Sequence, residues 1–136
     1  MENANNSLFD DADLIHSYTR ADALADGTLV ELDPHAVREA GIRCSVAVSR
    51  AVFADCIALT PAATRAGQDI RGRTWDVLSM LALAMRSRHG RGTDQVTFLA
   101  YVSIKRVKPT PTTFKALIGP GDEGEAVITI VYPSED

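Results

Sequence analysis

The chain has 136 residues, 46% of them apolar and 24% charged, which suits one domain with its own core and no need of a disulfide framework. Its net charge of −4 repels phosphate overall, so broad nucleic-acid binding is not expected, although a local basic patch stays open. No run approaches the roughly 18 apolar residues of a membrane span, and the polar start lacks the basic and apolar parts of a secretory leader.

Residues 1–13 are rich in Asn and carry four acids, and they read as a flexible acidic arm ahead of a single α+β domain spanning 14–136. Asp10, Asp11 and Asp13 lack the glycine and terminal Glu of a calcium loop. Thr19-Arg20-Ala21-Asp22 is a capping-box-like start, with Asp where Glu or Gln is usual, and Gly27 is a natural stop. A short helix over 20–26 follows from these signals, then a short strand over 28–32. Asp33-Pro34 supplies an N-cap and a first helical position for a second helix ending at Gly41.

Ile42, Cys44, Val46 and Val48 alternate with Arg43, Ser45 and Ala47, which predicts a half-buried strand. Ser49 caps a helix through about Leu59, with Val52, Phe53, Cys56 and Ile57 on its apolar stripe. Pro61 ends it, and the polar run to Gly72 reads as a loop. The strongest helical signal covers 74–88, where Trp75, Leu78, Leu81, Ala82 and Met85 repeat at helical spacing. Asp76 lies near its expected start, and Arg86, Arg88 and His89 near its end, where they suit the dipole.

The last third is β. Val96, Phe98, Ala100 and Val102 alternate with Thr97, Leu99, Tyr101 and Ser103. A second strand covers 112–118 and a third 126–132. Short connections favour an antiparallel meander, so the expected architecture is an α+β two-layer sandwich: a three-stranded C-terminal meander packed on the central helix, with short N-terminal helices and strands.

Chemistry-bearing motifs are sparse. Gly119-Pro120-Gly121-Asp122-Glu123-Gly124 has no following helix and no Lys-Ser/Thr pair, so it reads as a hairpin turn rather than a phosphate cradle. His16, His35 and His89 have no metal-ligand spacing to one another or to a cysteine. Cys44 and Cys56 lie in apolar runs and read as buried small hydrophobes; reduced thiols fit a cytoplasmic location. No Gly-x-Ser-x-Gly occurs. No metal and no cofactor are expected. Between Arg65 and Lys108, nine basic residues face three acids, which could form a local basic face.

Ile15-His16-Ser17-Tyr18-Thr19, followed by a helix ending in Asp26-Gly27, resembles the opening of ADP-ribosyltransferase-like folds over residues 15–30. No catalytic role follows from it. A wider resemblance rests on several blocks: Tyr18-Thr19-Arg20-Ala21-Asp22 through Val30, Arg38-Glu39-Ala40-Gly41, Val46 to Val52, Gly72 to Leu78, and Gly119 to Ile130. Over residues 14–132 these resemble a family of small uncharacterised proteins encoded on bacterial plasmids, integrative elements and phages. That resemblance implies a bacterial, intracellular, mobile-element setting and no transferable activity.

The first expectation is therefore a non-catalytic interaction protein that binds a protein partner, in an accessory or anti-defence role. Its contact candidates are Arg73, Trp75, Arg86, Arg88, Asp122 and Glu123, with Trp75 also placed on the core stripe. A small enzyme or nucleotide-binding protein with a pocket near His16, Tyr18 and Arg20 is the alternative. A DNA-binding accessory protein using the basic face is a further one.

Overall fold

The structure is a computed structural model and describes residues 18–87, 94–103 and 108–135. The arm 1–13, His16, Arg88, His89 and the Lys105-Arg106 part of the basic loop lie outside these residues.

Helix α1 (Arg20–Asp26) starts on the expected capping box: the Thr19 hydroxyl accepts from the Asp22 amide at 3.0 Å, and the Asp22 carboxylate accepts from the Thr19 amide at 3.1 Å. Gly27 closes it in the left-handed region. Strand β1 (Leu29–Glu31) follows, then α2 (Pro34–Glu39), whose Asp33 cap accepts from the His35 amide. Gly41, at φ 88°, ends α2 by letting its own amide reach the Arg38 carbonyl while the Ile42 amide reaches Val37. A β-carbon is disfavoured at that φ, which explains the glycine.

Strand β2 (Ser45–Ser49) is shorter than the predicted 42–48 because Ile42 belongs to the helix-ending turn. It is also buried on both faces rather than one: Val46, Ala47 and Val48 are all fully enclosed. The reason is position. β2 lies inside the sheet, its Val46 and Val48 side facing the core, and α1 brings Ala21 and Leu24 beside Ala47 on the other side.

Ser49 caps α3 (Arg50–Val52) as expected, its hydroxyl accepting from the Val52 amide. The predicted helix to Leu59 instead widens into a π turn over Phe53–Ile57, closed by the Ala58 amide on the Phe53 carbonyl. The carbonyls of Asp55 and Cys56 would accept from the next turn of an α-helix; here they accept from the Arg73 guanidinium. The predicted loop after Pro61 contains a further helix, α4 (Pro61–Arg65), capped by the Thr60 hydroxyl on the Ala63 amide.

Helix α5 (Ile70–Arg86) begins four residues before the predicted start at 74, on an Asp69 cap that accepts from the Gly72 amide at 2.7 Å. Asp76 is therefore an interior position and not part of the first turn. The buried side comprises Arg73, Thr74, Val77, Leu78, Leu81 and Ala82. It is turned towards Arg73 and Val77, so Trp75 falls on the rim and is 43% exposed, against the expectation that it belongs to the core.

Strands β3 (Gln95–Val102), β4 (Thr110–Pro120) and β5 (Ala126–Val131) form the expected antiparallel meander. Its inner face packs on α5 through Val96, Phe98, Ala100, Phe114 and Ala116. The predicted meander is part of a larger whole: β1 and β2 extend it to a five-stranded mixed sheet in the order β1-β2-β5-β4-β3. β2 runs parallel to β5, with Val46 opposite Ile128 and Val48 opposite Ile130. Phe114 is wholly buried, with the rings of Phe98 and Tyr132 centred 5.6 Å and 5.8 Å from its own.

Candidate functional site

One open groove in the surface lies along β3. Among the described residues this strand is at one end of the sheet, paired with β4 on one side only. In an antiparallel pair, directly opposite residues alternate between exchanging hydrogen bonds and not exchanging them. The Ile118 amide donates to the Asp94 carbonyl at 2.8 Å, and the register places Asp94 one step before the Gln95–Leu117 pair. Hence Val96, Phe98, Ala100 and Val102 bond to β4. The N–H and C=O groups of Thr97, Leu99 and Tyr101 point away from β4, to the side where no described residue pairs with them.

The proline near the start of β4 agrees with this phase. Pro111 stands opposite Tyr101, where no bond to β3 is required of it, and its segment of β4 has no partner on the β5 side. Side chains follow the same alternation: Val96, Phe98, Ala100 and Val102 are buried, while Leu99 and Tyr101 are 55% and 60% exposed. A groove of about 570 Å³ runs beside this edge, lined by Asp76, Ser79 and Met80 of α5, by Leu99 and Tyr101, and by Pro109 and Pro111. Leu83, one turn on from Met80, is exposed as well.

The contact candidates from the sequence are not gathered in one place. Arg73 is buried, and its guanidinium donates to the carbonyls of Cys56, Asp55 and Ser103 and to Gln68 Oε1 at 2.6–3.2 Å. It ties the π turn and the end of β3 to α5 and presents no cation to a partner. Trp75 lies over a separate depression with His35, Asp69 and Arg71. Arg86 is exposed.

Asp122 also has an internal task. Its carboxylate accepts from the backbone amides of Arg20 and Ala21, both at 2.9 Å, so the turn between β4 and β5 caps α1 from across the sheet. Those two amides hold its pKa below the ordinary carboxylate range. Glu123 is exposed in the same turn. The glycine-rich segment is the hairpin turn that was expected, and a side chain at Gly121 would run into the Glu125 carboxylate.

The alternative pocket is equally committed. The Tyr18 hydroxyl donates to Asp26 Oδ2 at 2.5 Å, and Asp26 is lowered to about 2 by the hydrogen bonds from Tyr18 and Thr28. Arg20 donates to Thr129 Oγ1 and to the Ile128 carbonyl, and burial depresses its pKa. Arg20 lines a small depression with Glu31, Asp122 and Glu125, but Tyr18 does not. Cys56 is buried, as expected, and its thiol lies 3.4 Å from the Tyr132 hydroxyl, which donates to Asp55. Cys44 is only half-buried. Among the described residues no cluster of His, Cys, Asp and Glu could hold a metal, and no helix is long and apolar enough to cross a membrane.

Sequence reasoning missed the β3 edge as a site. The signal was present: Leu99 and Tyr101 are large and apolar at the positions that alternation assigned to water.

Comparison with known proteins gives no activity to transfer. No curated protein and no solved structure matches the chain. A family model described as a family of unknown function (DUF6573) matches residues 5–136, and the chain belongs to that family.

Proposed function

We propose that the protein is a non-catalytic interaction module that binds a protein partner by adding a strand to the β3 edge. One observation carries this reading. An eight-residue edge strand without a charged side chain turns the backbone groups of Thr97, Leu99 and Tyr101 outwards, beside a partly apolar groove. An edge with this chemistry accepts an extended segment: main-chain bonds give affinity, and exposed apolar side chains add contact area.

The other readings have less to stand on. Tyr18 and Arg20 are engaged within the fold, and Arg73 is withdrawn from the basic face. The resemblance noted above supplies the setting: a cytoplasmic accessory protein of a bacterial mobile element.

The test is comparative capture. Tagged wild type and the double variant Leu99→Lys/Tyr101→Lys are expressed in bacterial cells, crosslinked, and the bound chains mapped by mass spectrometry. The wild type is expected to yield crosslinks around β3, and the double variant to lose them while keeping its circular dichroism spectrum. Crosslinks that spare β3, or survive the substitutions, would remove the proposal.

A further inference from the structure

We infer that the strand taken up at this edge is β3 of a second copy of the same chain, joining two sheets into one of ten strands about a two-fold axis through Leu99. The inference rests on the strand-addition reading above and names its partner.

The argument begins with symmetry. Thr97, Leu99 and Tyr101 each turn one N–H and one C=O outwards, and they are evenly spaced about Leu99. An antiparallel copy centred on Leu99 sets Leu99 opposite its counterpart and Thr97 opposite the second copy's Tyr101. Every outward group of these three residues is then satisfied by a like group of the other copy. The edge is self-complementary, as a two-fold interface must be.

Charge points the same way. Each copy carries a net charge of −4, so two copies approach most easily where neither presents a charge. β3, read as Gln-Val-Thr-Phe-Leu-Ala-Tyr-Val, is such a place. β3 offers no charge for a foreign strand to match, and the single carboxylate lining the groove, Asp76, is on α5.

Apolar surface completes the case. Leu99, Tyr101, Met80 and Leu83 are 36–60% exposed. Leu99 and Tyr101 stand on the outer face of the strand and Met80 and Leu83 on the α5 side, so apolar side chains flank the edge on both faces of the sheet. In the paired sheet Leu99 packs on Leu99 of the second copy and Tyr101 on its Thr97, an aromatic and β-branched pair of the kind that stabilises adjoining strands.

The experiment combines sedimentation equilibrium with residue-resolved amide exchange on the purified chain. Wild type is expected at twice the monomer mass, and Leu99→Lys at the monomer mass. The Leu99 and Tyr101 amides should exchange slowly in the wild type and at least tenfold faster in the variant. The Phe98 and Ala100 amides, bonded to β4, should stay slow in both, which shows that the variant is folded. A wild type that is monomeric at all concentrations, or a dimer whose Leu99 and Tyr101 amides exchange freely, would overturn the inference. If the wild type is monomeric yet Leu99→Lys/Tyr101→Lys still loses crosslinks to a different chain, self-pairing falls and strand addition stands. If the substitutions alter neither mass, exchange nor crosslinking, both fall.

Discussion

The two ends of the sheet solve the same problem in opposite ways. β1 is three residues long and finishes on the exposed carboxylate of Glu31. A strand that short and charged offers little to a passing chain. β3 is eight residues long and uncharged, and its outward backbone groups have no partner among the described residues at Thr97, Leu99 and Tyr101. Both belong to one sheet and share one core, so folding alone does not call for the difference. The contrast is the one the proposed strand addition calls for: on that reading the β3 end is open to a contact that the β1 end is too short and charged to accept.

The comparison is sharpened most by adjacent residues on opposite faces of β3. Phe98→Ala is expected to cost about 3–5 kcal/mol, because a buried aromatic leaves a cavity against Phe114. Leu99→Ala should change the stability of the single chain by no more than about 0.5 kcal/mol. Urea unfolding at high dilution measures both, and equal costs would erase the distinction between inner face and open edge.

Arg73→Met tests what pins the end of β3 in place. It would leave the carbonyls of Asp55, Cys56 and Ser103 without their donor. A loss of about 3 kcal/mol is expected, read by urea unfolding. Faster amide exchange in the π turn should accompany it.

At the other end, Thr19→Ala removes the hydroxyl that accepts from the Asp22 amide at the start of α1 and should cost about 1 kcal/mol by urea unfolding. It should leave the molecular mass unchanged, since α1 lies by β1 and β2. A change of mass would place the contact at the wrong end of the sheet.

The smallest effect is a pH dependence. Burial, and then the hydrogen bonds with Cys56 and Asp55, push the Tyr132 pKa above its ordinary value. A raised pKa contributes stability that is fully present below the unfolded value of about 10 and is lost as pH rises beyond it. Tyr132→Phe should therefore flatten the fall in melting temperature above about pH 10. An unchanged slope would mean that the hydroxyl is free of this constraint.

Local punctuation was legible in the sequence wherever a signal acts within a few residues. The Thr19–Asp22 capping box, the Asp33-Pro34 start, the Gly27 and Gly41 stops and the Ser49 cap all stand where their chemistry places them. Thr60-Pro61 carried the same message as Asp33-Pro34, and the polar composition around it masked a short helix. The π turn could not be read, because the donor that opens it, Arg73, lies in another helix. Nor could the exposure of Trp75, since hydrophobic spacing alone does not say how far a helix is rotated about its axis when it packs.

The candidate site was half legible. Alternation in β3 sorted Phe98 from Leu99, yet the proposed contacts fell on charged residues. Two of those, Arg73 and Asp122, turned out to be internal fasteners.

Local patterning by itself determined the α+β class, the C-terminal meander and the helix under it, because alternation and helical spacing are properties of neighbouring residues. Tertiary structure alone decided that β2 enters the sheet parallel to β5 and that β3 is left at the edge. Strand order is a contest between segments far apart in the chain, settled by which buried faces fit, and no local pattern records its outcome.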